Sequence, residues 1–142
     1  MAKVLVDTCV IIDILLNRQK FVDASYNAVS SLIRQGDTVY TTAKAMTDIF
    51  YIVHHSLHDN DKTKEVLLKL SKIYQILDTK EKDTLKAITS DVTDYEDAVM
   101  VETAISNEVD FILTRNIKDY RKAKIKIVSP ADLIIRLSTL LC

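Results

Sequence analysis

Glycine and proline are nearly missing from this chain, which has one of each among its 142 residues. Phosphate-binding loops of the Rossmann and P-loop types need several glycines, because the backbone must approach the phosphate closely. The sequence therefore excludes these two modes of nucleotide binding. The turns must be made largely by Asn, Asp, Ser and Thr, whose short polar side chains also stabilise turns.

Cysteine is also scarce, with Cys9 inside an apolar run and Cys142 at the last position. Two cysteines so far apart match no zinc-binding spacing. We expect both to be free thiols in the reducing cytosol, where disulfides are rare. Since no apolar run approaches the length of a membrane span, we expect a cytoplasmic protein without a membrane association.

The chain has almost no excess of charge, with a formal net charge of -1 at pH 7. Hydrophobic residues make up 48% and charged residues 27%, as in soluble globular proteins. The length predicts a single domain over residues 1–142. Because the net charge is close to zero, any binding to a polyanion must come from local patches.

Short apolar runs alternate with helical patterns along the whole chain. The predicted strands are 4–6, 38–41, 76–77, 109–113 and 125–128. The predicted helices are 8–16, 21–33, 42–55, 62–75, 81–89, 94–107 and a last one that begins at 130. This alternation predicts an α/β fold with three α/β/α layers around a central parallel sheet.

Acidic residues follow or flank several of the predicted strands. Asp7 ends the first strand, Asp119 follows the fourth, and Asp48 lies in the helix after the second. Asp94 and Asp97 occupy the first turn of the helix before the fourth strand. Because ligands of parallel sheets bind outside the carboxyl ends of the strands, we expect these acids to meet at one edge.

Carboxylates gathered at one edge repel each other, by roughly 4 kcal/mol for a pair about 4 Å apart at an effective dielectric constant near 20. Such a cluster must take up protons or bind a cation. Ligands that are all oxygen favour Mg²⁺ or Mn²⁺ over zinc. A divalent ion at an open edge can activate water and stabilise charge on a phosphodiester.

Charge is distributed unevenly in the last third of the chain. Residues 87–114 contain seven acids and no Lys or Arg, whereas residues 115–126 contain six basic residues and one acid. An acidic site beside a basic strip suits a cation-dependent enzyme that acts on a polyanion. Arg115 and Lys118 flank the proposed site, which makes them the best candidates for contacts with such a substrate.

Six short motifs follow each other in a characteristic order. They are Val4-Leu5-Val6-Asp7-Thr8, Thr47-Asp48-Ile49, Asp94-Tyr95-Glu96-Asp97-Ala98, Leu113-Thr114-Arg115-Asn116, Lys118-Asp119-Tyr120 and Val128-Ser129-Pro130-Ala131. In this order and at these spacings the chain resembles a PIN domain, of the compact bacterial type related to VapC toxins. The resemblance extends from about residue 3 to residue 135.

The resemblance implies a Mg²⁺ or Mn²⁺ site and an endoribonuclease that hydrolyses RNA through metal-activated water. By position it assigns catalytic roles to Asp7, Asp48, Asp97, Asn116 and Asp119. It implies that Asp7, Asp97 and Asp119 bind the metal, with Asp94 as an auxiliary acid. An RNA substrate, an antitoxin protein and a homodimer are the partners that it implies.

Two positions depart from the family's usual pattern. Asp48 stands where Glu is usual and is one methylene shorter, and Asn116 stands where Asp is frequent and removes a negative charge. We expect weaker metal affinity as a result, so a non-catalytic RNA-binding or scaffolding domain is the alternative. A phosphate-accepting receiver domain is a weaker rival, because Asp7 lacks the adjacent acid that such domains need.

Several of these side chains also have purely structural interpretations. Asp94 could simply cap its helix, Asp119 could pair with a nearby lysine, and Asp48 could face either solvent or the site. We expect Asp13 at the surface or at the rim of the cleft, without a functional role. Tyr120 is the one aromatic residue that we consider for stacking on an RNA base.

Overall fold

The computed structural model describes residues 1–141, with side chains described as far as residue 139; the predicted free thiol of Cys142 lies outside this range. The strands are β1 (Lys3–Val6), β2 (Thr38–Thr42), β3 (Gln75–Leu77), β4 (Phe111–Leu113) and β5 (Lys126–Val128). The helices are α1 (Thr8–Leu15), α2 (Val22–Arg34), α3 (Ala43–Leu57), α4 (Asn60–Ile73), α5 (Glu81–Ile88), α6 (Tyr95–Ser106) and α7 (Pro130–Leu141). They confirm the predicted order and fold class.

Element ends differ from the predicted bounds by up to two residues, and two differences concern the segment between α6 and β5. A 3-10 helix over Ile117–Tyr120 was not predicted. The fourth strand begins at Phe111 rather than at 109, because Glu108 has a left-handed φ of 58 and the backbone N–H of Val109 still donates to Ala104. The chain therefore leaves α6 through a turn that takes up the first two predicted strand residues.

The sheet consists of five parallel strands in the order β3-β2-β1-β4-β5, so the first strand is central. Val6 of β1 lies opposite Leu113 of β4. The next residue of each strand, Asp7 and Thr114, consequently sits at the same carboxyl edge. The backbone N–H of Asp7 also donates to the carbonyl of Leu113 at 2.9 Å, which continues the pairing to the end of the strand.

The central strand divides the hydrophobic core between the two faces of the sheet. Val4 and Val6 pack with residues of α1, α2, α3, α4 and α7, whereas Leu5 packs with residues of α5 and α6. All three side chains are fully buried, and each contributes about 1.5–3 kcal/mol by leaving water. Burial on both faces explains why this strand is an unbroken apolar run.

Polar side chains cap the helices that begin at the carboxyl edge. Asp7 caps α1, Thr42 caps α3 by accepting from the backbone N–H of Ala45, and Asp94 caps α6. Gly36 follows α2 with a φ of 91, the left-handed conformation that favours glycine after a helix. Within the described residues, no helix is long and apolar enough to cross a lipid bilayer.

Candidate active site

A cavity of about 370 Å³ lies at the carboxyl edge of the sheet. Its lining includes three of the predicted catalytic acids: Asp7, which follows β1 and caps α1, Asp48 of α3 and Asp97 of α6. Glu96 and Lys44 also line it. Three of the five acids that were expected to meet at one edge therefore line this cavity, whereas Asp94 and Asp119 do not.

Asp7 is held firmly at the mouth of the site. Its Oδ1 accepts from the backbone N–H of Thr8 at 2.8 Å, and its Oδ2 accepts from the hydroxyl of Thr114 at 2.7 Å. The thiol of Cys9 donates to the same Oδ2 at 3.6 Å. Only 8% of Asp7 is exposed, so its carboxylate has a fixed direction, as a metal ligand requires.

Asp97 is half-buried among other acids. Burial, followed by the charges of Asp94, Asp7 and Asp119, raises the pKa of Asp97 to about 6. The carboxylates of Asp94, Asp7 and Asp119 therefore lie close enough to Asp97 to disfavour its charge. A cation at this position would relieve the repulsion.

Tyr120 lies buried beside the acids Asp7 and Asp97. Its ring is 1% exposed, so the prediction that it stacks on an RNA base is wrong. Its buried hydroxyl makes no hydrogen bond of normal geometry within the described residues. Burial and the nearby carboxylates of Asp7 and Asp97 raise the pKa of Tyr120 well above its usual range. A buried polar atom without a partner beside two acids marks a place where a ligand or water is needed.

Asp48 faces the cavity, but it is already paired with a lysine. The Nζ of Lys44 lies 2.6 Å from Oδ2 of Asp48 and 3.4 Å from Oε2 of Glu96. Burial lowers the pKa of Lys44, but the hydrogen bond and charge of Asp48, together with Glu96, outweigh it and raise the pKa. The sequence analysis missed Lys44, although its spacing of four from Asp48 on one helix is a recognisable signal.

The remaining acids of the prediction occupy the edges of the site. Asp94 caps α6 by accepting from the backbone N–H of Asp97 at 3.0 Å, so its structural interpretation is confirmed. Asp119 is exposed on the 3-10 helix and forms no ion pair within residues 1–139. The backbone N–H of Asn116 donates to the hydroxyl of Thr114 at 3.1 Å, which links this segment to the support of Asp7.

Arg115 does not lie free at the surface. Its Nε and Nη2 donate to the two oxygens of Asp13 at 2.8 and 3.2 Å, and its guanidinium lies 4.0 Å from the ring centre of Phe21. Asp13 is 0% exposed, so the expectation of a surface or rim acid is wrong. The carboxylate can be buried because Arg115 and the hydroxyl of Ser25 satisfy it. Lys118, by contrast, is exposed.

A family model described as "PIN domain" matches residues 3–118, which is most of the chain. The chain belongs to the PIN domain family. Members of this family are nucleases, which places the chain among the hydrolases at the level of its family. No curated protein sequence matches this chain.

Solved structures share the fold of this PIN domain at low sequence identity. VapBC2 from Rickettsia felis, bound to a DNA fragment from their promoter, matches with a TM-score of 0.70 and 16% identity over 89% of this chain and 98% of that chain. FitAcB from Neisseria gonorrhoeae matches with a TM-score of 0.68 and 22% identity, over 90% of this chain and 98% of that chain. PAE2754 from Pyrobaculum aerophilum matches with a TM-score of 0.66 and 15% identity, over 97% of this chain and 90% of that chain.

The side chains of this PIN domain suit a hard divalent ion in their chemistry. Within residues 1–139, no three His, Cys, Asp or Glu side chains are arranged to hold one ion by themselves. Mg²⁺ usually keeps several waters and needs only one or two protein carboxylates, and Asp7 and Asp97 are the two that could serve. Burial and the charge of Asp7 raise the pKa of the Cys9 thiol to about 11, so a thiolate ligand is disfavoured.

Proposed function

We propose that this PIN domain is an endoribonuclease that depends on Mg²⁺ or Mn²⁺. The observation that carries the proposal is that Asp7, Asp48 and Asp97, from three distant segments, line one open cavity. The raised pKa of Asp97, which burial and the charges of Asp94, Asp7 and Asp119 produce, agrees with it. A bound cation would offset the negative charge that acids gathered in this way concentrate at the site. Membership in a family of nucleases supports the same conclusion.

The residues would divide the work according to their exposure and contacts. Asp7 and Asp97 would hold the cation, with Asp119 and Asp94 adding negative charge from the edge. Asp48 and Asn116 would complete or orient this group, Asp48 at a distance because Lys44 pairs with it. When bound, the ion would lower the pKa of a water molecule that it coordinates and would neutralise negative charge on the phosphodiester. No side-chain nucleophile is needed.

We also propose that the protein acts as a VapC-like toxin in the cytoplasm, bound by an antitoxin and assembled as a homodimer. Support comes from similar folds in VapBC and FitAB assemblies and in a "Toxin-antitoxin complex from Klebsiella pneumoniae". Light scattering of the purified chain tests the dimer, for which we expect twice the mass of 16.1 kDa. A monomeric mass at micromolar concentration would contradict the dimer.

The nuclease proposal is tested with labelled single-stranded RNA in the presence of Mn²⁺. We expect the wild type to cleave it, and the Asp7→Asn and Asp97→Asn variants to lose most of the activity. Addition of excess EDTA should stop the wild type, and Glu65→Gln, on the exposed face of α4, is the matched control. Equal cleavage by wild type, Asp7→Asn and Asp97→Asn would exclude this site.

A non-catalytic RNA-binding domain is the second candidate. Two observations favour it: the pairing of Asp48 with Lys44, and the amide of Asn116 at a position where the family often has an acid. The two candidates differ in their response to Mn²⁺, because an ion that binds only the folded state raises the melting temperature. RNA binding without cleavage, together with an unchanged melting temperature in Mn²⁺, would favour the non-catalytic domain.

A further inference from the structure

A row of exposed cations continues from the active site towards the end of α5. We call these residues the basic track: Lys86, Lys118, Arg121, Lys122 and Lys124, all of which are exposed. They line two neighbouring cavities, a small one of about 60 Å³ and a larger one of about 220 Å³. The cavities adjoin, because Lys122, Asp91 and Val92 line both.

The basic track joins the active site at Asp119. This acid lines the small cavity together with Lys118, Arg121 and Lys122. Its charge also contributes to the raised pKa of Asp97, so the small cavity begins where the acidic group ends. Lys86 and Lys124 lie further along, at the larger cavity.

The cations of the track are not used inside the protein. Within residues 1–139, none of the five forms a salt bridge or a side-chain hydrogen bond, whereas Lys44 and Arg115 are both paired. Asp91 and Glu102 also line the larger cavity, yet neither forms a salt bridge with a lysine in the part of the chain whose side chains are described. Uncommitted cations beside an acidic catalytic pocket would attract a polyanion and leave its scissile phosphate to the metal site.

We propose that the basic track binds the phosphate backbone of single-stranded RNA on the Asp119 side of the active site. This inference rests on the proposed function and adds the path of the substrate. It also transfers the predicted role of Arg115 to Lys86, Arg121, Lys122 and Lys124, since Arg115 is bound to Asp13. Contacts to phosphates position a nucleic acid but carry no sequence information, so a track that binds the backbone serves RNA of any sequence.

The test measures RNA binding in EDTA, where a metal-dependent nuclease cannot cut. Fluorescence anisotropy of a labelled single-stranded RNA is followed at several KCl concentrations for wild type, Lys86→Gln/Lys124→Gln and the control Lys64→Gln/Lys69→Gln. The control lysines are exposed on α4, whose apolar residues pack on the other face of the sheet. We expect the first pair to weaken binding uniformly across sequences and to lower the salt slope by about 1 for each lysine.

The outcomes separate this inference from the nuclease proposal. If the two double variants have the same affinity and salt slope, the basic track is not the RNA path, whether or not the wild type cleaves RNA in Mn²⁺. If only Lys86→Gln/Lys124→Gln loses affinity but the wild type never cleaves, the track is supported and the nuclease proposal fails. Equal binding of polyglutamate and RNA to the wild type would overturn the assignment to RNA.

Discussion

The hydroxyl of Thr114 donates a 2.7 Å hydrogen bond to Oδ2 of Asp7, although the two residues are 107 positions apart in sequence. They meet because β1 and β4 are parallel neighbours in the sheet and end at the same edge. The same hydroxyl accepts from the backbone N–H of Asn116. The pairing of two neighbouring strands therefore sets the direction of Asp7, the first of the proposed catalytic acids.

Replacement of Thr114 by Val tests this support. Val has a similar shape but cannot donate, so the buried Oδ2 of Asp7 loses its strongest partner, at a cost of about 1–3 kcal/mol. Urea unfolding measures this loss, and the rise in melting temperature with Mn²⁺ should shrink at the same time. Thr84→Val, whose exposed hydroxyl donates only to the carbonyl of Glu81, is the control. Equal losses in both variants would contradict the role of Thr114.

The pair formed by Asp13 and Arg115 is predicted to stabilise the fold. Removal of the cation in Arg115→Met leaves the buried carboxylate of Asp13 with Arg18, whose Nη1 lies 3.6 Å from Oδ1, as its remaining ion pair. We therefore expect a cost near the lower end of the about 3–5 kcal/mol for a broken buried pair. Asp13→Asn should cost less, because Arg115 is partly exposed and can reach water. Unfolding in urea measures both, and Arg34→Met, an exposed arginine of α2, serves as the control.

The double variant Asp13→Asn/Arg115→Met gives a further check on this pair. Loss of both charges should recover part of the stability that Arg115→Met loses, because no uncompensated charge is left inside. Strict additivity of the two single losses would show that the residues do not act as a pair. If Arg115→Met were as stable as the wild type, the pair with Asp13 would not stabilise the fold, and Arg115 would again be a candidate for RNA contact.

The positions of the main acids could be predicted from the sequence because they depend on local patterns. An apolar run followed by Asp7 predicts a strand end, and the helical spacing after Asp94 predicts the turn that carries Asp97. In a parallel sheet such ends share one edge. The fold class and the order of strands and helices follow from the same periodicities.

The remaining contacts depend on long-range packing that no local pattern records. The local sequence around Asp13 predicts a surface acid. Its carboxylate can be buried because it pairs with Arg115, which is 102 positions away in sequence. Tyr120 follows a run of polar residues, yet its ring enters the core. Both corrections concern side chains whose partners are defined by the tertiary structure alone.

The raised pKa of Asp97 makes stability depend on pH. An aspartate in an unfolded chain has a pKa of about 4, whereas the pKa of Asp97 in the folded protein is about 6. Between these two pH values the carboxyl of Asp97 keeps its proton in the folded state. In this window the unfolded chain releases that proton, so the contribution of Asp97 to stability falls as the pH rises and its full penalty applies above pH 6.

Asp97→Asn should therefore be more stable than the wild type above pH 6 without divalent cations, by about 1 kcal/mol once solvent screening of a half-exposed group is allowed for. The difference should vanish below about pH 4, where both side chains are neutral. Urea unfolding of both proteins from pH 4 to 8 measures it. A constant difference across this range would show that Asp97 has an ordinary pKa.

Lys44 is predicted to compete with the divalent ion. Its ammonium group adds positive charge to the cavity and occupies the carboxylate of Asp48 at 2.6 Å. Lys44→Met should enlarge the rise in melting temperature that Mn²⁺ produces, while it changes stability without Mn²⁺ by only about 0.5 kcal/mol, since the pair is exposed. Lys64→Met on α4 is the control. A smaller response to Mn²⁺ in Lys44→Met would show that the lysine assists the ion.

The most direct test of the account is the anomalous scattering of Mn²⁺ in crystals of the wild-type protein soaked with the ion. Convergence of the acids on one cation predicts a strong peak within ligating distance of the carboxylates of Asp7 and Asp97, which disappears in crystals of Asp97→Asn. A well-ordered active site without a Mn²⁺ peak between these two carboxylates would contradict the account.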